Sequence, residues 1–377
     1  MEDPRDMSEP SSPPANPANP ANPTSAGQQH AARSRTARVV RGAAAALLLL
    51  LLFGGIGLSL PRPLSPGETP HAQPASEPFS AYVARRKQQA QAEGVRPGND
   101  ERVVWATGRA ADARAPVAIY YIHGFGASRA EGEAVIEPLA QALAATTYYT
   151  RLPGHGGDLE AHAAARPEQY FARVEDDLHR LRPLADKLVV VGSSTGGLLS
   201  AWLAARHPSE VDALVLGSPL VELAIPGAFL LSRRAGMTLV KAVMGEYRDA
   251  GWARDPEARK QPGYEDHWIV KQRMDALAIV EDVRRRALIE APPEAIQSPV
   301  LLLYHYADAQ HQDSVCSVSA MQRFLARTHG GSPRADSRSV AIADGNHILF
   351  SQYVRTDKAR IGRELVSFLQ PLLAVRP

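Results

Sequence analysis

A single cysteine, Cys316, in 377 residues leaves the chain without any intrachain disulfide, and its setting in a run of small and apolar residues suggests a buried thiol rather than a redox centre. The chain also lacks a metal-ligand cluster, a P-loop and a Gly-x-Gly-x-x-Gly dinucleotide fingerprint, so no metal and no cofactor is expected. Charge of one sign is missing too. The formal net charge is only +2 and the basic residues are scattered, which argues against nucleic acid as a partner.

Hydropathy and composition divide the rest. Residues 1–36 hold tandem Ala-Asn-Pro units and many Pro, Ser and Ala residues, too little apolar surface to bury a core, and are expected to be a disordered tail. Within 37–60, Gly42 to Leu60 is an apolar run of about nineteen residues, long enough to cross a bilayer as a helix. Arg33, Arg35, Arg38 and Arg41 precede it, which predicts a single-pass signal anchor with a cytoplasmic N-terminus and the remainder outside the cytoplasm. A cleaved signal peptide releasing a secreted protein is the alternative, but no persuasive small-x-small site follows the run. Residues 61–99, rich in Pro, Gln, Ala and Glu, read as a tether containing a short helix over Phe79 to Glu93.

About 280 residues remain, enough for one large domain. Apolar runs at Val117 to Ile122, Thr146 to Arg151, Lys187 to Val191, Val211 to Leu216, Val300 to Tyr304 and Ser339 to Ala343 alternate with helical patterns, including a C-terminal helix over Asp357 to Leu373. Such alternation predicts an α/β fold with a mainly parallel sheet and helices on both faces. Between about 218 and 298 it stops. Helical material at Pro226 to Met244 and His267 to Ala291 predicts a cap inserted before the strand at Val300, with an apolar first part, Leu223 to Leu231, and a basic second part around Arg284-Arg285-Arg286. An apolar lining under a charged exterior suits a lipophilic substrate.

The most informative stretch is Leu188 to Gly197. An apolar β-branched run leads into Gly192-x-Ser194-x-Gly196 and then into the helix former Leu198 to Ala205, which is the strand, sharp turn and helix of a nucleophile elbow. The turn places Ser194 at its apex with the Thr195 N–H at a helix N-terminus, where an oxyanion is favoured. Upstream, the strand at Val117 ends in His123-Gly124-Phe125-Gly126, placing the Phe125 N–H as a second oxyanion donor. A base must follow. His347, just past the strand at Ser339, is better placed than His311 or His329. For the acid, Asp308 and Asp313 share the loop after Tyr304; Asp313 is favoured because it opens Asp313-Ser-Val-Cys-Ser-Val-Ser-Ala320, with Asp308 and, more remotely, Glu222 as alternatives.

These residues resemble the α/β-hydrolase superfamily, within it the monoacylglycerol lipase, lysophospholipase and carboxylesterase-like group. The resemblance covers roughly residues 100–377 and includes Arg151-Leu-Pro-Gly-His-Gly156 and Gly192-Ser-Ser-Thr-Gly-Gly197. His155 in the first of these reads as a residue that holds loops together. Gly126 and a lengthened acid loop depart from the family pattern. The resemblance implies the α/β-hydrolase fold and a Ser194, His347, Asp313 triad cleaving lipophilic carboxylic esters such as acyl-glycerols, through an acyl-enzyme. An amide or peptide hydrolase would use the same residues, and a membrane-tethered binding protein would share the fold. Oligomeric state is left open.

Overall fold

A computed structural model describes residues 55–64, 77–250 and 256–373. The tail expected over 1–36 and most of the apolar run at Gly42 to Leu60 lie outside the described residues. Among those described, no helix is long and apolar enough to cross a membrane.

Seven strands form one sheet: β1 (Arg102–Val104), β2 (Ala115–Ile122), β3 (Thr146–Tyr149), β4 (Ala185–Ser193), β5 (Ala213–Gly217), β8 (Val300–His305) and β9 (Arg338–Ile342), in the spatial order β1-β3-β2-β4-β5-β8-β9. β1 runs antiparallel to β3 and every other pairing is parallel. Alternation along the strands decides which helices cover which face. Tyr120, Ile122, Leu188, Val190, Leu214, Leu216 and Leu302 pack under α1 (Phe79–Ala92), α3 (Pro167–Leu181), α4 (Thr195–Arg206) and α7 (Val318–Ala326), whereas Ile119, Tyr121, Val189, Val191, Val215, Leu301 and Leu303 face α2 (Glu133–Ala142) and α8 (Lys358–Leu373). Both faces being buried, the central strands are apolar throughout, as parallel strands require. The predicted mainly parallel sheet with helices on both faces is therefore the observed one.

Two expectations are corrected. Residues 77–99 are not a free tether: α1 buries Phe79, Tyr82, Val83 and Ala90, the Tyr82 hydroxyl donates to the buried Asp177 (2.6 Å), and Arg86 pairs with the buried Glu101 (2.6 Å). Asp177 also accepts from Tyr120, Tyr148 and Thr150, so α1 is joined to the sheet by a buried polar network. The insert between β5 and β8 is not purely helical. It contains a 3₁₀ turn at Ala228–Ser232, α5 (Gly236–Met244), an antiparallel ribbon of β6 (Tyr247–Asp249) and β7 (Lys271–Arg273), and α6 (Met274–Glu290).

The apolar and basic parts of the cap are also arranged otherwise than expected. Phe229 and Val243 are 62% and 76% exposed. The three consecutive arginines are engaged rather than solvated: Arg284 donates to Val221 O and Glu281, Arg285 to Arg62 O, and Arg286 bonds Glu290 while lying over the Phe171 ring. Gly57 to Arg62 is bonded to this cap, with Ala235 N–H donating to Gly57 O, Arg234 N–H to Leu60 O and Arg62 reaching Asp282 at 2.8 Å.

Candidate active site

β4 ends at Ser193 and α4 begins at Thr195, so a single residue makes the turn. That residue, Ser194, has φ 52° and ψ −115°, a left-handed conformation costing a non-glycine residue about 1–3 kcal/mol. The surroundings hold it there. Ser194 N–H donates to Gly217 O on β5, and its carbonyl accepts from Leu198 and Leu220. Neither flanking glycine could carry a side chain: a Cβ on Gly192 would run into Gly196 O and Ser200 Oγ, and one on Gly196 into the Ile122 and His123 carbonyls.

Ser194 Oγ stands 3.0 Å from His347 Nε2, and His347 Nδ1 lies 2.8 and 3.0 Å from the Asp313 carboxylate oxygens. Ser194 is 7% exposed, and both partners are more deeply buried. Asp313 Oδ1 also accepts the N–H groups of Val315 and Cys316, both at 2.9 Å. Burial works against the Asp313 charge, but His347 and those N–H donors outweigh it and hold its pKa below the usual carboxylate value. For His347, burial pulls the pKa down while Asp313 and the more distant Glu131 pull it up, and the balance is upward. This arrangement can take a proton from the serine hydroxyl and stabilise the imidazolium that results.

The other acids and bases named from the sequence lie elsewhere. Asp308 is exposed and occupied by His311 Nδ1 (2.9 Å) and the N–H groups of Gln310 and His311. Glu222 is exposed and 3.8 Å from Arg323, and His329 Nε2 faces Ser298 O. The lengthened loop is closed on itself by the Tyr306–Gln312 bridge and by Asp313 N–H bonding to His305 O, which returns Asp313 to the strand end. Cys316 is buried, and burial pushes its thiol pKa well up.

β2 brings His123-Gly124-Phe125 alongside the serine, since a Cβ on Gly124 would lie 3.3 Å from Ser194 Cβ. Among the described residues, the Phe125 and Thr195 N–H groups are set against no protein acceptor. The loop that carries Phe125 is braced by two histidines. Leu152 N–H donates to His123 Nε2 (3.1 Å), and Gly126 N–H donates to His155 Nε2 (2.9 Å). Burial lowers the pKa of both, to about 4 for His123, so their rings stay neutral and can accept. Gly126, at φ 77°, also gives its carbonyl to Ile269 N–H from the cap.

Glu131 escaped the sequence analysis. It is fully buried, and its Oε2 accepts Gly124 N–H (2.6 Å) and the Tyr121 hydroxyl (3.1 Å), while Oε1 accepts the Ser193 hydroxyl (3.1 Å). One carboxyl group thus ties the Phe125 loop to the elbow. Burial raises its pKa against the pull of these donors. The signal was an acid a few residues beyond His-Gly, which a solvated turn would equally explain.

The family model described as serine aminopeptidase, S33, matches residues 113–350. Over 108 residues, 28% of this chain, the sequence is 32% identical to the abhydrolase domain-containing protein abhd-5.2 of Caenorhabditis elegans, and over 96 residues, 25% of this chain, 32% identical to the thermostable monoacylglycerol lipase of Bacillus sp.. The alignments span only 24% and 37% of those two proteins. A solved structure described with LipS and LipT, two metagenome-derived lipolytic enzymes, superposes with a TM-score of 0.57 at 17% identity, covering 74% of this chain and 99% of the other.

Proposed function

The chain belongs to the serine aminopeptidase S33 family of the α/β-hydrolase superfamily, and from that premise we propose that it hydrolyses carboxylic esters with a lipophilic acyl group, acyl-glycerols among them. The reading is carried by the unbroken line from Ser194 Oγ through His347 to Asp313. Ser194 Oγ attacks the ester carbonyl while His347 Nε2 takes its proton. The tetrahedral oxyanion is received by the Phe125 and Thr195 N–H groups; its collapse breaks the bond to the alcohol, which leaves with the proton from His347. Water, deprotonated by the same imidazole, then releases the acid and restores Ser194. Asp313 holds the ring in the tautomer that keeps Nε2 free to accept. An ester substrate is supported by the lipolytic activity named for the relatives above.

The second part of the proposal concerns place. The arginine-flanked run Gly42 to Leu60 supports a single-pass anchor with the hydrolase outside the cytoplasm.

A fluorophosphonate probe tests the chemistry: it should label the chain at Ser194 and fail to label Ser194→Ala. On p-nitrophenyl esters of graded chain length, Ser194→Ala should lose on the order of 10⁶ in kcat, and Ser193→Ala should lose far less. Faster turnover of peptidyl p-nitroanilides than of any ester would move the assignment to amide hydrolysis. Absence of labelling in a folded protein would leave a binding protein on a hydrolase fold.

A further inference from the structure

At the opposite end of α4 from the elbow, the last turn of α3 meets the C-terminal end of α4. His179 comes from α3, while His207, the residue that ends α4, and Glu210 come from the turn that follows. Glu210 Oε1 lies 3.4 Å from His179 Nε2 and 3.4 Å from His207 Nδ1, and one donor atom from each residue falls within 4.8 Å of the others. We propose that these three side chains bind a divalent transition-metal ion of the zinc class, with water completing the coordination.

Geometry and charge each support this. An ion about 2.0–2.2 Å from nitrogen and carboxylate ligands in a tetrahedron sets those ligands roughly 3.3–3.5 Å apart, close to the two separations found here. The other nitrogen of His207, Nε2, is 2.8 Å from the Oε1 of Glu175, one helical turn before His179 and almost fully buried. A carboxylate behind the ring is the usual partner of a metal-bound imidazole. Held through Nε2, the ring presents Nδ1 to Glu210 at 3.4 Å, the position a ligand nitrogen of a metal-bound imidazole would take. Among the described residues, neither Glu175 nor Glu210 has a lysine or arginine within ion-pair distance, and Arg206, over the Trp202 ring, acts on Glu175 only at longer range. Glu175 and Glu210 bring two carboxylates to the C-terminal, negative ends of two helices, a setting that favours a dication. Imidazole with carboxylate is a ligand set for zinc, and also for nickel and copper, rather than for magnesium or calcium. The ion would clamp the end of α4, the helix that starts at Ser194, to α3. Because the ligands sit on separate helices, no short motif announces them.

The test uses the full-length chain stripped with a chelator and titrated with Zn²⁺ against a chromophoric competitor, then with Co²⁺ as a spectroscopic stand-in. One equivalent of Zn²⁺ should bind, Co²⁺ should give the intense visible bands of a four-coordinate site, and Zn²⁺ should raise the melting temperature. His179→Ala and Glu210→Gln should each lower affinity at least tenfold and abolish the melting shift. Glu175→Gln keeps all three ligands and should weaken binding by about 10–100-fold. Circular dichroism and ester turnover of the metal-free variants should match the metal-free parent, which separates ligand loss from misfolding. Zn²⁺ affinity unchanged in His179→Ala, no uptake by the parent chain, or a Co²⁺ spectrum like that of the hydrated ion would each overturn the proposal.

Discussion

Asp313 and Asp308 share one loop, yet the structure puts only Asp313 within reach of His347, because the Tyr306–Gln312 bridge folds the extra residues back and returns the chain to the strand end. Asp313→Asn should therefore lower kcat on the order of 10⁴ by losing the ring's tautomer and counter-charge, while Asp308→Asn should stay near the parent rate; steady-state kinetics with the opposite ranking would transfer the role. The pH profile gives a second check. On the proposed mechanism His347 acts as base only when neutral, and its pKa is raised, so the acid limb of kcat/KM should lie above the ordinary imidazole value of about 6.5. Removing the Asp313 charge should move that limb to lower pH, whereas a limb that stays put would mean Asp313 is not the group acting on the base. Glu131 makes a different prediction. In Glu131→Ala the buried Gly124 N–H loses its acceptor, which should cost about 1–3 kcal/mol of stability in urea unfolding and reduce kcat by loosening the Phe125 loop. Glu131→Gln can still accept from Gly124 and donate to Ser193, and should restore both. Failure of Gln to rescue kcat would point to the charge rather than to the tie. Ser194, His347 and Asp313 could be named from sequence because each follows a strand end at a place set by the topology. Glu131 could not, since its importance lies in three partners that only the fold assembles.

At the scale of elements, long apolar runs were legible and short polar ones were not. β2, β4, β5 and β8 sit within a few residues of their expected limits, because strands buried on both faces must be continuously apolar. β1, β6 and β7 are three residues each, with sequences Arg-Val-Val, Tyr-Arg-Asp and Lys-Gln-Arg, too short to display a period. α1 was visible as a helix, but its attachment was not. Its mean hydropathy is polar, and it is secured by Tyr82 to Asp177 and Arg86 to Glu101, contacts that depend on partners distant in the chain. The domain boundary therefore belongs before Phe79 rather than at residue 100. A chain beginning at residue 100 should express poorly or unfold at lower temperature, since it uncovers the Tyr120 and Tyr148 side of the sheet and leaves Glu101 buried without Arg86, whereas a chain beginning at Glu77, which keeps α1 and loses only the Gly57 to Arg62 contacts to the cap, should melt well above it. Equal melting temperatures for the two truncations would restore the tether reading.

For the molecule as a whole, the proposed lipophilic substrate must reach the hydrolase domain, and residues 57–62 bear on how. Gly57, Leu60 and Arg62 are bonded to cap residues 232–235, and Arg62 also to Asp282 on α6. Residues 57–60, the end of the apolar run, are thus bonded to the cap. If the proposed anchor brings the hydrolase to a bilayer, the exposed Phe229 and Val243 offer the cap apolar contacts to the membrane surface, where acyl esters partition. On the proposed topology, the arginines before the run would set the orientation. A reporter active only after export, fused after Pro377, should be active, and the full-length protein should remain with membranes through a carbonate wash. Arg62→Ala should leave that anchorage intact while weakening the link to the cap, so turnover of an ester presented in vesicles should fall relative to turnover of a soluble short-chain ester. Recovery of a soluble chain beginning near Pro61 would instead identify the run as a cleaved signal, and an unchanged ratio of the two turnovers in Arg62→Ala would separate the cap from any role at the membrane.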